Sequence, residues 1–244
     1  MADINLTHCV LLIGICIGAG FIQRVSGFGL GIFVMMFLPH FLSSHTAAVA
    51  ISSLFSCATS TYNAIRYRKS IAYKTVLPMV VATLVCIPVA VHYAHRVSGK
   101  IFQILLGGVL ILMSLFFLFF SKRIRMKPNL SNGILAGALG GTLNGLFSTG
   151  GPPAVLYLSS ATADNITYFA TIQFYFCFSN LYATAMRAFN GTIDGYILFH
   201  AAVGMIGCMA GDRMGKQIFD RLDSDKLKRI IYIGMIISGI LLFL

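Results

Sequence analysis

Two short glycine-containing segments interrupt long apolar stretches of this sequence, and both have residue types suited to binding an anion. The first is Ser-Gly-Phe-Gly at 26–29, and the second is Ser-Thr-Gly-Gly-Pro-Pro at 148–153. A helix that starts at such an interruption presents unpaired backbone N–H groups and the positive end of its dipole. An anion satisfies both without requiring a cationic side chain. We name these segments break 1 (26–29) and break 2 (148–153).

The residue types within the breaks each have a role in this interpretation. Ser26 in break 1 and the pair Ser148 and Thr149 in break 2 stand where helix N-caps are expected. The glycines let a ligand or an opposing backbone approach closely, and Pro152 suits the first turn of a new helix. The alternative is that glycine and proline only allow helices to pack tightly, which is common in membranes.

Polar side chains close to the breaks could complete an anion site. Arg24 precedes break 1, and an arginine deep in a membrane is expected to face a cavity or a partner. Its long side chain could equally extend to the lipid surface. Gln23 and Asn144 flank the two breaks, and their amide groups could donate hydrogen bonds to an oxyanion.

Two long apolar segments also carry polar residues on one helical face. One face has Gln173, Asn180 and Arg187 at steps of seven residues. The other has steps of three and four, formed by Ser52, Ser56, Thr59, Asn63 and Arg66. Such stripes either line a pore or join helices through hydrogen bonds. We interpret the first two residues of the first face as pore-lining and place both arginines at the membrane interfaces.

These arguments together define a predicted substrate-binding set. Its members belong to the breaks, to their flanks or to the polar face of the second half. They are Gln23, Arg24, Ser26, Gly27, Phe28, Gly29, Asn144, Ser148, Thr149, Gly150, Gly151, Pro152, Gln173 and Asn180.

The residue types that are scarce exclude other functions. All seven acidic residues are Asp, and they fall at termini, in loops or at the ends of predicted helices, so no buried carboxylate relay is indicated. The sequence contains no Ser-His-Asp set, metal-binding motif or phosphate loop, which predicts that the protein is not an enzyme and uses no metal or cofactor. Its 18 basic residues lie in short gaps between apolar runs rather than in a basic stripe, which argues against nucleic-acid binding.

Composition indicates the elements that must position these residues. Hydrophobic residues make up 57% of the chain and charged residues 10%, with a mean hydropathy of +0.85, whereas soluble domains have about 25% charged residues. The sequence therefore predicts an all-α polytopic membrane protein. Six apolar runs are long enough to span a membrane; they are residues 46–65, 73–94, 101–120, 168–189, 193–211 and 227–244.

Two further apolar regions, residues 6–42 and 132–160, contain the breaks. Each break should leave helical pieces of about 12 to 17 residues, which are short for a full crossing. Broken helices or re-entrant hairpins are therefore expected.

The two halves of the sequence look like copies of one another. A shift of about 122 positions places Ser26 on Ser148 and Gly29 on Gly151. Both halves share the same order: a broken hairpin followed by three transmembrane helices. We therefore predict two membrane repeats, 1–125 and 126–244, that together form one transporter domain. Breaks at matching positions in two repeats point to a transport site between them.

The basic residues predict how the repeats are oriented. Three clusters hold 14 of the 18 basic residues: 66, 68, 69 and 74; then 122, 123, 125 and 127; then 213, 216, 221, 226, 228 and 229. Loops rich in Lys and Arg lie in the cytoplasm. Parity then requires each broken region to return to its starting side, so the halves must be inverted and both termini extracytoplasmic. These features predict a multi-pass protein of the inner (plasma) membrane.

The pattern of two breaks in duplicated halves of a short basic membrane protein resembles the TauE/SafE sulfite exporter family, also called the TSUP family. The resemblance extends over essentially the whole chain. It implies a secondary transporter of sulfur-containing anions such as sulfite, sulfoacetate or other sulfonates, with alternating access around a midplane site. A passive anion channel that uses the same helix ends is the alternative. The expected partners are a small anionic substrate and the lipid bilayer, and a homodimer is left open.

Overall fold

A computed structural model describes residues 6–42, 44–94, 96–119, 126–218 and 224–243 of the chain. These residues form ten α-helices and one short 3₁₀ helix, Arg68–Ser70, and no strand, which confirms the predicted all-α class. The α-helices are α1 Leu6–Ser26, α2 Leu30–Phe41, α3 His45–Arg66, α4 Tyr73–Ala94, α5 Gly99–Phe119, α6 Leu130–Phe147, α7 Gly151–Ala161, α8 Asn165–Phe189, α9 Gly195–Ile218 and α10 Ser224–Leu241. Each half of the chain thus contributes five helices in the same order.

Both breaks interrupt helices where the sequence predicted. Break 1 separates α1 from α2, and two of its residues, Gly27 and Gly29, have positive φ angles of 79° and 98°. Break 2 separates α6 from α7, and Ser148 adopts the left-handed conformation at φ 57°. Pro152 and Pro153 lie in the first turn of α7, where a missing backbone N–H is tolerated.

Two predictions about the breaks were wrong. The helices before the breaks are longer than expected, at 21 residues for α1 and 18 for α6, because helical conformation continues through Arg24 and starts at Leu130. The N-caps of α2 and α7 are glycines without a side-chain hydrogen bond. Ser26 instead ends α1, and Ser148 is the C-cap of α6, since both serines belong to the preceding helix.

Among the described residues, four helices are long and apolar enough to cross a membrane: His8–Ser26, Tyr73–Ala94, Gly99–Phe119 and Gly195–Gln217. On α4, Val81, Val85 and Val89 form a stripe at steps of four residues, and each is more than half exposed. A continuous exposed apolar stripe is expected where a helix faces lipid. In contrast, Phe55 of α3 and Tyr175 of α8 are completely buried, so these two helices form the centre of the protein.

Helices from the two halves pack in reciprocal pairs. The strongest contacts join α1 with α9 and α4 with α6, and each pair combines a first-half helix with a second-half helix. On α6, glycines at 133, 137, 141 and 145 recur every four residues. A Cβ on Gly137 would overlap the backbone of Met79, and one on Gly141 would lie 2.9 Å from the Thr83 backbone. The small residues therefore allow α6 to approach α4 at backbone contact, with the two helices parallel.

The central pair, α3 and α8, runs antiparallel. The hydroxyls of Ser53 and Thr184 are 2.8 Å apart, and the Thr61 hydroxyl lies 3.3 Å from the Cys177 sulfur. Residue numbers therefore increase along α3 as they decrease along α8. Asp164 starts α8 by accepting hydrogen bonds from the backbone N–H groups of Ile166 and Thr167. The bonds from Thr167 lower the pKa of this carboxyl below its usual value.

The predicted basic clusters are only partly described. Lys122, Arg123, Arg125 and Arg221 lie outside the described residues. Arg66 is exposed at the C-terminal end of α3, as expected for a residue at a membrane interface. Arg187 is only 3% exposed, because the last turn of α8 packs against α6, and its position at a membrane interface stays a prediction.

Candidate functional site

A small cavity lies where the two breaks meet, between α3 and α8. Its volume is about 30 Å³, which is room for one or two water molecules. The lining residues come from both halves of the chain and are Gln23, Phe28, Gly29, Leu30, Gly31, Ile32, Ser56, Asn144, Ser148, Thr149, Gly150, Gly151, Phe176 and Asn180. Nine of these lining residues belong to the predicted substrate-binding set.

Direct contacts between the two breaks close this cavity. A Cβ on Gly31, at the start of α2, would overlap the carbonyl oxygen of Ser148. In the opposite direction, a Cβ on Gly151 would meet the Phe28 ring at 3.4 Å. The N-terminal ends of α2 and α7 therefore face one space, as the matching positions of the breaks predict.

Break 1 is held by its own hydroxyl and by an amide from α8. The Ser26 hydroxyl lies 2.7 Å from the Ile22 carbonyl oxygen and 2.6 Å from that of Phe28, so its single proton is committed to the backbone. Gln173 donates a hydrogen bond of 2.9 Å to the carbonyl oxygen of Gly27. Neither Ser26 nor Gln173 lines the cavity, and both instead fix the shape of the backbone around it.

Gln23 connects break 1 to both central helices. Its amide nitrogen donates to the Gln173 side chain at 3.3 Å, and its amide oxygen accepts from the Thr59 hydroxyl at 3.2 Å. Gln23 also borders the cavity and is 5% exposed. The first residues of α2 follow directly, and by position their N–H groups have no carbonyl of the same helix to bond. Break 1 therefore presents mainly backbone donors to the cavity.

Break 2 presents side-chain hydroxyls instead. Ser148 and Thr149 are 4% and 3% exposed, and neither hydroxyl has a hydrogen-bond partner among the described residues. A buried polar group without a partner costs about 1–3 kcal/mol, so these hydroxyls are suited to a ligand that enters the cavity. Pro152 and Pro153 have no N–H group, which removes two of the backbone donors that the first turn of α7 would otherwise offer. Pro152 itself does not line the cavity.

Asn144 and Asn180 complete the polar wall on the side of the second half. The Asn144 amide nitrogen donates to the Ser179 hydroxyl at 2.7 Å. Asn180 lies one residue further along α8 and is 4% exposed. Since amides can both donate and accept, these side chains suit a ligand with several oxygens.

The predicted site residues that stand apart are Arg24 and Gly27. Arg24 donates a hydrogen bond of 3.2 Å to the Tyr67 hydroxyl, and its guanidinium lies 5.5 Å from the Phe169 ring centroid. Gly27 faces the side chains of Tyr168 and Phe169. The structure thus brings neither residue to the cavity, and a direct role of Arg24 in binding stays a prediction.

The sequence interpretation also missed lining residues. Leu30, Gly31 and Ile32 are the first residues of α2, and they line the cavity because they directly follow break 1. Phe176 lies between Gln173 and Asn180 on the same face of α8, so the stripe at steps of seven residues could have identified it.

The described lining of the cavity carries no formal negative charge. No acidic residue lines it, and the described part of the chain has no cluster of three His, Cys or Asp side chains that could hold a metal ion. Helix N-terminal ends and hydroxyl donors therefore dominate the polar lining, an arrangement that favours negative charge.

Comparison with known proteins also indicates a membrane transporter. Residues 11–242 match the family described as sulfite exporter TauE/SafE. A similar protein is the probable sulfite/organosulfonate exporter TauE of Cupriavidus necator, which is 23% identical over 227 residues, covering 91% of this chain and 88% of the relative. No solved structure gives a significant match. Members of this family are exporters, which confirms that the chain is a membrane transporter and not an enzyme. Because the match extends over nearly the whole chain, the protein belongs to the TauE/SafE sulfite exporter family.

Proposed function

We propose that this protein is a secondary transporter of small sulfur-containing oxyanions, such as sulfite or an organosulfonate like sulfoacetate, and that the substrate binds in the cavity between the two breaks. The observation that carries the proposal is the pair of buried hydroxyls at Ser148 and Thr149, which have no partner among the described residues and border that cavity. The name of the Cupriavidus necator relative supports the same substrate class.

The polarity of the lining explains why the substrate should be an anion. A helix N-terminal end contributes about 0.3–1 kcal/mol toward a nearby negative charge when exposed, and up to about 2 kcal/mol when partly buried. Charge-assisted hydrogen bonds from hydroxyls and amides are roughly twice as strong as neutral ones. Among the described residues, the lining offers no carboxylate with which a cation could pair. The site therefore selects negative charge without a cationic side chain in direct contact.

We further propose that the two halves are inverted repeats that move by alternating access. The reciprocal pairs α1 with α9 and α4 with α6 support an internal two-fold relation between the halves. The antiparallel course of the equivalent helices α3 and α8 supports an axis in the membrane plane. A cavity of about 30 Å³ is smaller than a hydrated oxyanion, so substrate entry requires the breaks to move apart on one side.

Orientation in the membrane completes the proposal. We place the protein in the inner membrane with both termini extracytoplasmic, because three basic clusters then lie in the cytoplasm. The parallel packing of α1 on α9 supports this arrangement: Gly211 lies against Ile17, and Gly215 against Phe21. Both terminal residues, Met1 and Leu244, lie outside the described residues.

Uptake into proteoliposomes tests the proposal most directly. Purified protein would be assayed with sulfite, sulfate, thiosulfate, taurine, isethionate and sulfoacetate, each with an empty-liposome control. We expect saturable uptake of at least one sulfur oxyanion and none of a neutral diol. Replacing Thr149 by Val removes a cavity hydroxyl at nearly constant volume, and should weaken transport by about fivefold, the equivalent of one hydrogen bond.

The matched control is Ser114→Ala in α5. This serine is also fully buried, but its hydroxyl bonds the Leu110 carbonyl oxygen of its own helix. Wild-type transport by a folded Thr149→Val variant would remove this hydroxyl from the substrate site. Equal uptake of neutral diols and sulfonates would overturn the proposed function itself.

A further inference from the structure

Arg187 is a buried cation that the proposed site does not use. It lies in the last turn of α8 and is 3% exposed, yet it does not line the cavity between the breaks. Its guanidinium donates three hydrogen bonds, to the Ser53 hydroxyl at 2.8 Å, the Asn144 carbonyl at 2.9 Å and the Gly145 carbonyl at 2.8 Å. A buried charge is costly unless its environment offsets it.

The partners of Arg187 are all neutral. Across the described ranges, no Asp carboxylate lies within ion-pair distance of its guanidinium. Two of its partners are carbonyl oxygens in the last turn of α6, where the helix dipole has its negative end. The dipole therefore offsets part of the charge on Arg187, and the uncompensated part produces a positive potential in the surrounding protein.

The nearest surroundings include the substrate cavity. Asn144 joins the two, because its carbonyl oxygen accepts from Arg187 and the residue also lines the cavity. Without Arg187, the negative end of α6 would stand beside the hydroxyls of Ser148 and Thr149, where it would oppose an anion. Arg187 thus reverses the sign of the potential at the point where α6 ends.

We propose that Arg187 determines charge selectivity, making the cavity prefer doubly charged oxyanions over singly charged ones of similar shape. The inference rests on the proposed anion transport and names the substrate class more narrowly. At an effective dielectric constant of about 20, two unit charges about 10 Å apart gain on the order of tenfold in affinity, and each negative charge on the ligand contributes such a factor. Arg187 acts through space and through Asn144, without touching the substrate.

A purely structural role is the competing explanation, since Arg187 also ties α8 to the end of α6. The two roles respond differently to charge. A structural tie should affect all substrates equally, whereas a selectivity role should change the ratio between dianions and monoanions. The informative readout is therefore the ratio of inhibition constants for sulfate and methanesulfonate, measured against transport of one labelled substrate in proteoliposomes.

Arg187→Gln retains an N–H donor group in the side chain but removes the positive charge. We expect the inhibition constant of methanesulfonate to weaken by about tenfold and that of sulfate by about 100-fold, because the Coulomb energy scales with the charge of the ligand, so that the advantage of sulfate disappears. Arg66→Gln is the matched control, because it removes an exposed arginine from the other central helix and should leave the ratio unchanged. A folded Arg187→Gln protein with the wild-type ratio overturns the proposal.

A second pair of variants keeps the test decisive if Arg187→Gln does not fold. Val49 and Arg187 line the same small secondary cavity of about 10 Å³, and Val49 is 3% exposed. Val49→Asp places a carboxylate beside Arg187 without removing any of its hydrogen bonds, and Val49→Asn adds a neutral group of similar size. We expect only Val49→Asp to reduce the preference for sulfate. Equal ratios in the two variants overturn the proposal.

Failure of the broader transport proposal would look different. If the wild-type protein were inhibited equally by sulfate, methanesulfonate and neutral dimethyl sulfone, the anion site itself would be wrong, whatever Arg187 does. If the wild-type protein prefers both anions over the sulfone but does not prefer sulfate over methanesulfonate, only the role of Arg187 fails.

Discussion

The two breaks occupy equivalent positions about 122 residues apart and face one cavity, but they are built differently. Break 1 uses its polar groups to hold itself: the Ser26 hydroxyl bonds local carbonyls, and Gln173 reaches in from α8. In break 2 the hydroxyls have no partner among the described residues, and Arg187 holds the end of α6 from outside. Duplicated segments can therefore share a position in the fold while they divide the binding chemistry between them.

This division has a consequence for the ligand. Backbone N–H groups at the start of α2 can only donate hydrogen bonds, and they move only with their helix. The hydroxyls of Ser148 and Thr149 can rotate, and they can donate or accept. The backbone donors of break 1 would therefore fix the orientation of a bound oxyanion, and the hydroxyls of break 2 would rotate to match its oxygens.

The largest effect is expected from a substitution that pushes the two breaks apart. A Cβ on Gly31 would overlap the Ser148 carbonyl oxygen, which belongs to rigid backbone, whereas one on Gly151 would make an ordinary contact with Phe28. We expect Gly31→Ala to destabilise the fold by about 1–3 kcal/mol. Misplacement of about 1 Å at a functional site can reduce its activity by about 100-fold, so transport should fall by a comparable factor.

Gly151→Ala should keep the fold and reduce transport far less. Gly108→Ala in α5 is the control, because a Cβ there meets nothing within 4 Å. Thermal unfolding in detergent and proteoliposome uptake would be measured for all three variants. Near-normal transport by Gly31→Ala would show that contact between the breaks is unnecessary.

Substitutions of the two equivalent serines should change stability in opposite directions. Ser26→Ala removes a hydroxyl that bonds the backbone, and should lower the free energy of unfolding by about 1 kcal/mol. Ser148→Gly removes a hydroxyl with no partner in the described chain and relieves a left-handed serine at φ 57°. Because that conformation is strained for residues with a Cβ, the change should raise stability by up to about 1 kcal/mol.

Substrate binding should distinguish the same two variants. Ser148→Gly should weaken anion binding by about fivefold despite the higher melting temperature, since a donor in the cavity is lost. Ser26→Ala should leave the affinity of the folded protein close to wild type. Calorimetric binding of sulfate together with thermal unfolding measures both effects, and a Ser148→Gly protein that binds as tightly as wild type would contradict the division of roles.

Local sequence signals predicted most of the fold. Apolar runs indicated all six predicted spans, and α4 matched its predicted bounds, residues 73–94, whereas α9 continues seven residues beyond its predicted end, to Ile218. Both breaks were predictable because glycine and proline act on the backbone where they stand. The lengths of α1 and α6 were not predictable in this way. In α1, the helix continues through Arg24 because the side chain of Arg24 packs against aromatic rings from other segments.

The sequence predicted only part of the site. Ser26 and Ser148 occupy matching positions, and their sequence neighbours do not reveal that one hydroxyl is bonded and the other has no partner in the described chain. The burial of Arg187 depends on α8 ending against α6, a contact between segments more than 40 residues apart. Its spacing of seven residues from Asn180 was the one signal that placed it on the site-facing side of α8.

The smallest effect is expected at Arg24, which lies near the end of α1 and outside the cavity. Arg24 is partly exposed, bonds the Tyr67 hydroxyl and packs over Phe169, outside the cavity lining. Solvent and salt screen such a charge more than a buried one, so Arg24→Ala should weaken sulfate binding by no more than about threefold. Arg24→Lys, which keeps the charge but loses the planar fork, should bind like wild type. A loss of tenfold or more in a folded Arg24→Ala protein would instead place Arg24 in the substrate site, and the two arginines would then act together on the same anion.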